Sequence, residues 1–434
     1  MKIIIIGAGV AGLALAGQLD SAKHEVAVYE RDTEEVFAGK YGWYDNINCN
    51  DLAKIGFAHL IPRKFPEEED RILTGPSKTT RAVFRISAEG EYEPIWRPTL
   101  LGQLKADAVQ HAAITYGKPV RSLLIENNKV LGVETSDGEE EADLVVDCAG
   151  LTGLNQTLLE PGMLRHRASE YFTAYRAVYK HTPKGPAPGM DNIILKHCGE
   201  MGVGWYNVDP DGNIDILLGR LGQLRKETIQ KSLSDIQAWS ASWSELGELI
   251  QAGVYTIPVR YPLLQMVFDG YAAVGDSAYM TIPMMGSGVV NAIHGAKLLA
   301  KLLNAQDAKT TEALWPYQVQ YFKKAVGDAF AIDILKRTAL GLSNEKVDAL
   351  LGAGLLSAAD IASIFTGHFI SLKPLDLIAK VPGGVKVPLI VAEIAAAIAR
   401  ALAAAQLAKL IPATYDRRIV GVWQRNLAKL VRNA

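Results

Sequence analysis

The chain begins with a run of apolar residues from Lys2 to Ile6 that has the length of a buried strand. The glycine-rich segment Gly7-Ala8-Gly9-Val10-Ala11-Gly12 and an apolar run of helical length follow it. A second apolar strand, Val26 to Tyr29, ends at Glu30. The order of strand, glycine turn, helix and strand predicts a βαβ unit built on a parallel sheet.

Each glycine of the first turn has a mechanical role in such a unit. Gly7 lets the chain turn sharply off the strand, Gly9 lets the backbone approach a pyrophosphate, and Gly12 lets the helix lie close to the sheet. The helix start at Val10 and Ala11 presents unpaired N–H groups and the positive end of the helix dipole to phosphates. The segment therefore predicts a dinucleotide site.

The acidic residue at the end of the second strand narrows the choice of dinucleotide. Glu30 stands 18 residues after Gly12, where its carboxylate accepts hydrogen bonds from a ribose diol, and Arg31 follows it at the same edge. A carboxylate in this place repels a 2′-phosphate. We therefore expect a dinucleotide with a free ribose diol.

A second glycine turn lies far along the chain. The strand Tyr271 to Val274 runs into Gly275-Asp276, and Gly286-Ser287-Gly288 opens another apolar helix at Val289. Asp276 suits the hydroxyls of a ribityl chain, and the N–H groups near Gly288 and Val289 suit a flavin pyrimidine. A helix dipole aimed there stabilises anionic reduced flavin. The two turns with this acid predict FAD rather than NAD.

Alternation of apolar and polar residues breaks the βαβ rhythm in two places, each predicting antiparallel strands. The fold class we expect is α/β: a Rossmann-type FAD-binding domain, an inserted antiparallel-sheet substrate domain that forms the far wall of a ligand cleft, and a helical C-terminal region. The predicted boundaries are 1–70, 97–165 and 266–330 for the FAD-binding domain, 71–96 and 166–265 for the substrate domain, and 331–434 for the helical region.

Two aromatic pairs are candidates for the wall of that cleft. Trp43 and Tyr44 stand beside Gly42, where they line a pocket over a flat ring or simply pack in the core. Trp205 and Tyr206 stand on a predicted strand of the substrate domain, and the same two interpretations apply to them. The sequence leaves these alternatives open.

Three further positions are candidates for cofactor contact. Arg97 stands just before a predicted helix, either as a solvated residue or as a contact to phosphate or flavin. Val120 begins a strand and presents its backbone to an adenine edge. Gly150 follows a strand that ends in small residues, which lets the backbone approach the ligand.

Composition excludes some classes of function. A net charge of −2 gives no basic footprint for nucleic acid, and 434 residues predict two or three subdomains. Three scattered cysteines, Cys49, Cys148 and Cys198, are too few for a disulfide framework, and they predict no metal site. They fit a reducing cytoplasm, and a strand that starts at Lys2 leaves no room for a signal peptide.

A long apolar segment, Val387 to Pro412, is the nearest approach to a membrane helix. Glu393, Arg400 and Lys409 interrupt it, and alanine dominates its composition. We interpret it as a core helix of a C-terminal bundle or as a surface that rests on lipid. The protein is therefore predicted to be cytoplasmic, with peripheral membrane contact as the alternative to a buried helix.

These motifs resemble those of the FAD-dependent oxidoreductases with the para-hydroxybenzoate hydroxylase fold, and more narrowly the geranylgeranyl reductase family. The resemblance covers most of the chain and is carried by GAGVAG with Glu30, by Arg97, and by VGDSAYMTIPMMGSGVVNAIHGAKLLA. Two departures matter. Tyr41-Gly42 replaces a Cys-Gly pair frequent in the family, so no catalytic cysteine is transferred. Ala149-Gly150 replaces the Asp-Gly pair of aromatic hydroxylases, which counts against hydroxylation.

The resemblance implies that reduced FAD delivers hydride to a carbon–carbon double bond of an isoprenoid lipid held in an apolar groove. NAD(P)H or ferredoxin is the implied electron donor, so a redox partner protein is among the expected partners. No histidine or carboxylate stands out as a proton donor, and the catalytic residues stay unassigned. The alternatives are a flavin monooxygenase acting on an aromatic or lipid substrate and an electron-transfer flavoprotein.

Overall fold

The computed structural model describes most of the chain. Parts of the predicted domain segments lie outside the described residues. Those residues are 1–61, 70–85, 92–154, 158, 170–185, 191–326, 328–370 and 372–432.

The strands of these parts are numbered in chain order. They are β1 Lys2–Ile6, β2 Glu25–Tyr29, β3 Tyr44–Asn48, β4 Arg71–Thr74, β5 Arg81–Phe84, β6 Tyr92–Trp96, β7 Ala113–Thr115, β8 Val120–Glu126, β9 Lys129–Thr135, β10 Gly138–Glu141, β11 Leu144–Asp147, β12 Tyr171–Pro183, β13 Asp191–Leu195, β14 Gly202–Val208, β15 Ile214–Leu221, β16 Ser244–Pro258, β17 Val267–Phe268 and β18 Tyr271–Ala273.

The helices are numbered in the same way. They are α1 Val10–Ala16, α2 Glu34–Ala38, α3 Cys49–Lys54, α4 Arg97–Ala108, α5 Lys226–Ser240, α6 Val289–Ala305, α7 Thr311–Tyr321, α8 Ala329–Gly341, α9 Asn344–Gly352, α10 Ala358–Phe365, α11 Pro374–Lys386, α12 Pro388–Lys409 and α13 Arg417–Arg432.

A six-stranded sheet with the order β17-β18-β11-β1-β2-β7 forms the centre of the cofactor domain. All of its pairs are parallel except β17 with β18. The four isoleucines of β1, Ile3 to Ile6, are buried. A continuous apolar run is what a strand covered on both faces requires. Helices α1 and α6 pack against each other beside this sheet.

A seven-stranded sheet with the order β16-β12-β15-β14-β13-β4-β5 stands opposite. Its pairs are antiparallel except β13 with β4. Because alternate residues of a strand point to opposite faces, the sheet has two distinct surfaces. One surface packs under α5 in a core of its own that includes Ala177, Ile216 and Ile236. The other surface faces the cofactor domain.

The strand β6 does not join the large sheet, contrary to the grouping predicted for residues 71–96. It pairs instead with β3, so that Trp96 lies opposite Tyr44 and Pro94 opposite Asn46. Pro94 has no backbone N–H to donate, so it suits a two-stranded ladder better than the interior of a wide sheet. Together β3 and β6 form a short connection leading into α4.

The C-terminal region is helical throughout its described part, and it is not a separate appendage. Helices α9 and α10 pack on the end of the seven-stranded sheet, where Leu351 and Ile361 share a core with Leu73 and Phe84. Helix α12 packs against α8 and α13. The predicted fold class, a Rossmann-type domain with an antiparallel-sheet domain and a helical C-terminus, is confirmed.

Candidate functional site: two glycine corners and an apolar cavity

The first glycine corner contains two glycines that the protein itself requires. Gly7 has φ of +97°, and a Cβ atom there would lie 2.7 Å from the carbonyl oxygen of Cys148. A Cβ atom at Gly12 would lie 2.0 Å from the carbonyl oxygen of Gly7. These two glycines therefore allow the helix, the turn and the sheet to pack closely.

Gly9 differs from its two neighbours in the same corner. Its φ of −73° is open to any residue, and no described heavy atom lies within 4 Å of the position of a Cβ atom there. Neither backbone conformation nor packing within the described residues explains the glycine. Space for the close approach of a ligand backbone does explain it, so the corner fits a dinucleotide pyrophosphate.

The buried carboxylate of Glu30 is fixed over the first corner. Its Oε2 atom accepts a hydrogen bond from the backbone N–H of Ala8 at 2.9 Å, and its Oε1 atom accepts one from the N–H of Asp32 at 3.1 Å. Each oxygen of an ionised carboxylate has a further acceptor position. The geometry is therefore compatible with the predicted contact to a ribose diol.

The second glycine corner meets the first in space. Gly275 and Asp276 lie in a 3₁₀ turn after β18, and a Cβ atom at Gly275 would lie 2.8 Å from the Cβ atom of Ala11. A Cβ atom at Gly288 would lie 3.3 Å from Oδ1 of Asp276. Helix α6 starts at Val289 without a side-chain cap among the described residues. Its first N–H groups are thus placed to bind a ligand beside Asp276.

Arg97 interacts electrostatically with Asp276 of the second corner. Its Nε atom donates to the carboxylate of Asp45, and its backbone N–H donates to the carbonyl of Trp43 at 3.0 Å. Burial raises the pKa of Asp276 to about 6, and the positive charge of Arg97 opposes that shift. Of the two interpretations offered for Arg97, the structure places it in a paired, largely buried position at the cofactor edge and not in solvent.

Aromatic residues of the loop that follows α2 form a cluster with a residue of the substrate sheet. The ring of Trp43 makes edge contacts with Tyr41 at 5.3 Å and with Tyr255 of β16 at 4.8 Å between centroids. A Cβ atom at Gly42 would lie 1.9 Å from Oε1 of Gln251, also on β16. Gly42 thus allows this loop to pack tightly against the substrate sheet, a role that the sequence pattern did not reveal.

A cavity of about 940 Å³ lies between the seven-stranded sheet, the second glycine corner and the C-terminal helices. Gly286 has φ of +67°, and a Cβ atom there would lie 2.2 Å from Cδ1 of Ile257 in the cavity wall, so the corner contacts the sheet directly. The side chains from the sheet follow the two-residue period of its strands. They include Leu73, Phe172, Ala174, Arg176, Ile193, Leu195, Val203, Trp205, Leu217, Tyr255, Ile257 and Val259.

The cavity continues into the helical region. Helices α8, α9 and α10 supply much of its wall, including Leu340, Leu350, Leu351, Ile361 and Phe365. The predicted boundary at residue 331 therefore runs through the site. The sequence predicted a helical region here but not the surface against which its helices pack.

Three of the four aromatic residues predicted for the pocket line the cavity, namely Trp43, Tyr44 and Trp205. The prediction for Tyr206 is wrong. Its side chain is fully buried in the core under α5, where its ring contacts Trp239 with 6.3 Å between centroids. Trp205 and Tyr206 are consecutive in β14, so they point to opposite faces of the sheet.

Arg176 is a cavity residue that the sequence analysis missed. Its guanidinium group binds Asp215 at 3.0 and 3.1 Å from Nε and donates to the carbonyl of Tyr44 at 3.0 Å. The same group lies 4.7 Å from the ring of Trp43 and 5.5 Å from that of Trp205. The signal in the sequence was a positively charged residue on the face of β12 where apolar side chains otherwise recur at every second position.

Lys336 of α8 is a second missed residue, and it is buried in the cavity wall. Its ammonium group donates to the carbonyl of Val259 and pairs with Asp333 at 2.7 Å. Burial lowers the pKa of Lys336, and the attraction of Asp333 opposes that shift. A charge within the apolar run FAIDILK was the only hint in the sequence.

The remaining predicted contacts lie around the rim of the first corner. Arg31 is exposed beside Glu30. Val120 begins β8 two residues after Lys118, whose N–H donates to the carbonyl of Glu30 at 2.8 Å. Gly150 has φ of +73° at the end of β11, and no described heavy atom lies within 4 Å of the position of a Cβ atom there.

His197, Cys198 and Asp235 form a cluster of potential metal ligands, and none of the three lines the cavity. Nε2 of His197 lies 2.7 Å from the carboxylate of Asp235, and Lys78 pairs with the same carboxylate. These contacts compensate the charge of Asp235 within the protein itself. The sequence analysis considered the cysteines only in relation to one another and so did not identify this group.

The parallel sheet, the joined glycine corners and the facing antiparallel sheet form a fold suited to FAD, and relatives in sequence indicate that the protein is an FAD-dependent oxidoreductase. More narrowly, the fold resembles that of a geranylgeranyl bacteriochlorophyll reductase-like protein from Thermoplasma acidophilum, with a TM-score of 0.70 at 15% identity over 92% of this chain and 99% of that one. The flavin-dependent brominase Bmp2 has a TM-score of 0.59 at 15% identity over 90% of this chain and 98% of its own.

Two characterised relatives are similar in sequence, and no protein-family model matches. The FAD-dependent monooxygenase asL6 of Sarocladium schorii is 25% identical over 353 residues, which cover 73% of this chain and 83% of that protein. The digeranylgeranylglycerophospholipid reductase of Sulfolobus acidocaldarius is 25% identical over 150 residues, which cover 34% of this chain and 33% of that protein. The match to this reductase therefore spans about a third of its length.

Proposed function

We propose that the protein is an FAD-dependent reductase that saturates carbon–carbon double bonds of an isoprenoid lipid. The observation that carries the assignment of an isoprenoid substrate is the shape and chemistry of the cavity of about 940 Å³. It begins at Gly286 to Gly288, where the flavin edge is expected, and extends between leucines, isoleucines and phenylalanines to α10. An isoprenoid chain has no charged group to bind, so it requires such a wall.

The residues of the chain have separate roles in this reaction. The glycine corners, Glu30 and Asp276 hold the two ends of FAD, and the apolar wall orients the double bond and excludes water. When bound and reduced, FAD supplies the hydride for such a saturation. The resulting carbon centre then requires one proton.

Lys336 is the residue that we propose holds this proton. Its ammonium group lies in the cavity wall with two acceptors, Asp333 and the carbonyl of Val259. Lys336→Met is expected to slow turnover while flavin content stays normal, because the substitution removes the proton and preserves most of the volume. Lys336→Arg keeps the charge at a higher pKa, so its turnover is expected to show a shifted pH profile.

The second candidate is an FAD-dependent monooxygenase of an apolar substrate. The similarity to asL6 extends over 353 residues, more than the match to the reductase, and favours this alternative. Both reactions use the same cofactor site and an apolar cavity, so the cavity does not distinguish them. The requirement for oxygen does, because a monooxygenase inserts an oxygen atom and a reductase adds two hydrogen atoms.

The decisive experiment is anaerobic. Protein loaded with FAD and reduced with dithionite is mixed with a digeranylgeranyl glycerophospholipid in detergent, and the product is examined by mass spectrometry. We expect a gain of two hydrogen atoms for each bond reduced. Dithionite replaces the natural donor, for which NAD(P)H and reduced ferredoxin are our two candidates.

The other outcomes discriminate among the alternatives. A product that forms only in air and carries an added oxygen would establish the monooxygenase and remove the reductase proposal. Unchanged lipid together with rapid electron transfer from the protein to a quinone would indicate an electron-transfer flavoprotein.

A further inference from the structure

Helix α12 carries an unusual outer face. It is 22 residues long with a mean hydropathy of 1.8 over its most apolar 18 residues, yet only 28% of that stretch is buried. The side facing the protein packs through Ile390, Ala397, Ala401 and other alanines. The exposed side is also largely apolar, with Glu393, Gln406 and Lys409 as its exposed polar residues, whereas a surface helix of a soluble protein normally exposes mainly polar residues there.

We call the exposed apolar residues of α11 and α12 the aliphatic stripe. Leu389 is 82% exposed, Val385 is 76% exposed and Leu410 is 71% exposed, so both ends of α12 present large aliphatic side chains. Exposed alanines occupy the turns between them. Contiguous exposed apolar surface of this extent marks an interaction site. The stripe comprises Leu377, Val381, Val385, Leu389, Val391, Ala392, Ala395, Ala396, Ala399, Leu402, Ala403 and Leu410.

A basic helix lies alongside the stripe. Nε1 of Trp423 in α13 donates to the carbonyl of Leu407 at 2.8 Å, which fixes α13 against the C-terminal half of α12. Arg418, Arg425 and Lys429 are exposed on α13. Between Lys373 and Arg432 the sequence has ten lysines and arginines against three carboxylates, although the whole chain carries a net charge of −2. Positive charge is therefore concentrated where the exposed aliphatic residues are.

From this combination we infer that the aliphatic stripe and the basic face of α13 dock the protein on the surface of a bilayer containing anionic lipids. The aliphatic side chains enter the boundary between headgroups and acyl chains, and the cations bind lipid phosphates. Helix α12 lies along the surface because its other side packs on α8.

The positive charges argue against two other partners for this surface, a second copy of the chain and an acidic redox protein. A second copy seated on the same face would bring two cationic surfaces together, since a two-fold interface pairs the same patch with itself. An acidic redox protein would pair with the cations, but it would offer no apolar surface to cover the long aliphatic stripe. A bilayer with anionic headgroups satisfies both features at once.

The docking face lies one helix layer from the cavity. Ile390 of α12 shares a small core with Leu350 of α9, and Leu350 lines the cavity. If the substrate is an isoprenoid lipid, this arrangement shortens its path through water. That consequence rests on the proposed function, whereas the docking itself does not.

The test is flotation of the FAD-loaded protein with vesicles. We expect binding to vesicles of equal parts phosphatidylcholine and phosphatidylglycerol, weaker binding to phosphatidylcholine alone, and release by salt. Leu389→Gln is expected to weaken binding roughly tenfold. Each of Arg418→Gln, Arg425→Gln and Lys429→Gln is expected to weaken it about fivefold.

Matched controls use exposed residues elsewhere on the protein. Val36→Gln on α2 and Arg121→Gln on β8 change the same chemistry away from the docking face and are expected to leave flotation unchanged. All of these side chains are exposed, so near-native unfolding temperatures are expected. Turnover of a detergent-solubilised lipid is measured in parallel, so that loss of docking is distinguished from failure of the proposed reaction.

Four results would overturn the inference. Absence of flotation with either vesicle, or flotation that the substitutions do not affect, excludes this face as the site. Resistance to salt and carbonate, with release only by detergent, indicates a spanning helix instead. A vesicle-free dimer that Leu389→Gln dissociates assigns the stripe to a second copy.

Discussion

The two faces of the seven-stranded sheet are built by the same strands and serve opposite purposes. The face under α5 is closed, and Ala177, Ile216 and Tyr206 are packed there by their neighbours. The face toward the cofactor domain carries side chains of similar size, including Trp205, but these surround open space. The type of residue therefore does not show whether a side chain packs in the core or lines the cavity. Its position in the two-residue alternation of the strand does show this.

The first glycine corner shows the same contrast over a few residues. Gly12 faces packed backbone, and Gly9 faces open space among the described atoms. In both regions, a substitution on the packed side is expected to affect stability, and one on the open side is expected to affect binding. The following predictions test that separation.

Gly12→Ala is expected to have the largest effect. Its Cβ atom would approach the carbonyl oxygen of Gly7 to 2.0 Å, and backbone cannot move aside cheaply. We expect a loss of at least about 3 kcal/mol in the free energy of unfolding, measured by chemical denaturation of the apoprotein. Gly9→Ala, its matched control, should keep that stability and lose FAD affinity on the order of tenfold. Equal stability losses in both variants would contradict the comparison.

Tyr206→Ala is expected to cost about 3–5 kcal/mol of stability, because it removes a buried aromatic ring from the closed face. The turnover of the molecules that remain folded should be unchanged. Trp205→Ala, one residue earlier, is expected to cost less than about 2 kcal/mol and to raise the KM for the lipid. Denaturation and steady-state kinetics on both variants distinguish the faces, and a KM effect of Tyr206→Ala would refute their separation.

Two alanines of β12 allow the same substitution on each face. Ala177→Phe overpacks the closed core and is expected to cost about 1–3 kcal/mol. Ala174→Phe places its ring at the cavity, so we expect a smaller stability change and weaker lipid binding, measured by titration of flavin fluorescence. The distinction between a closed face and an open face would be refuted if Ala174→Phe were the more destabilising of the two substitutions.

Asp276→Asn is expected to stabilise the apoprotein, with a distinct pH dependence. Burial raises the pKa of this carboxyl from about 3.8 to about 6, so ionisation disfavours the folded apoprotein as the pH rises through that window. The variant removes this penalty. Its unfolding temperature should exceed that of the wild type above pH 6, and the difference should vanish toward pH 4.

The same variant should bind FAD more weakly, because a neutral amide replaces the acceptor expected for the ribityl hydroxyls. Absorbance of the bound flavin measures this loss. A variant that retains stoichiometric flavin would contradict the role assigned to Asp276, whatever its unfolding temperature.

Local patterns were sufficient to predict the candidate cofactor site. Gly7, Gly12 and Glu30 act on neighbours that lie close in sequence or on the adjacent strand, so their spacing already implies the turn that they form. The second corner at Gly286 to Gly288 carries the same kind of signal. Its contact with the first corner, through Gly275 and Ala11, appears only when the sheet brings their strands together.

The substrate site was less accessible to such reasoning. Arg176 and Lys336 are charged residues in largely apolar segments, and their importance lies in the surface that each faces. The error over Tyr206 has the same origin, because a strand presents one residue to each face and the sequence does not say which face is open. Helices α9 and α10 were expected, but their place in the cavity wall depends on contacts with β4 and β5.

The sequence by itself determined the class of fold, the choice of FAD and the candidate residues for its site, because glycine spacing and apolar periodicity act over a few neighbouring residues. Only the tertiary structure decided which face of the large sheet is left open, which helices close over it and where the exposed aliphatic surface lies. Those features arise from contacts between segments hundreds of residues apart, and no local pattern encodes the side on which a partner packs.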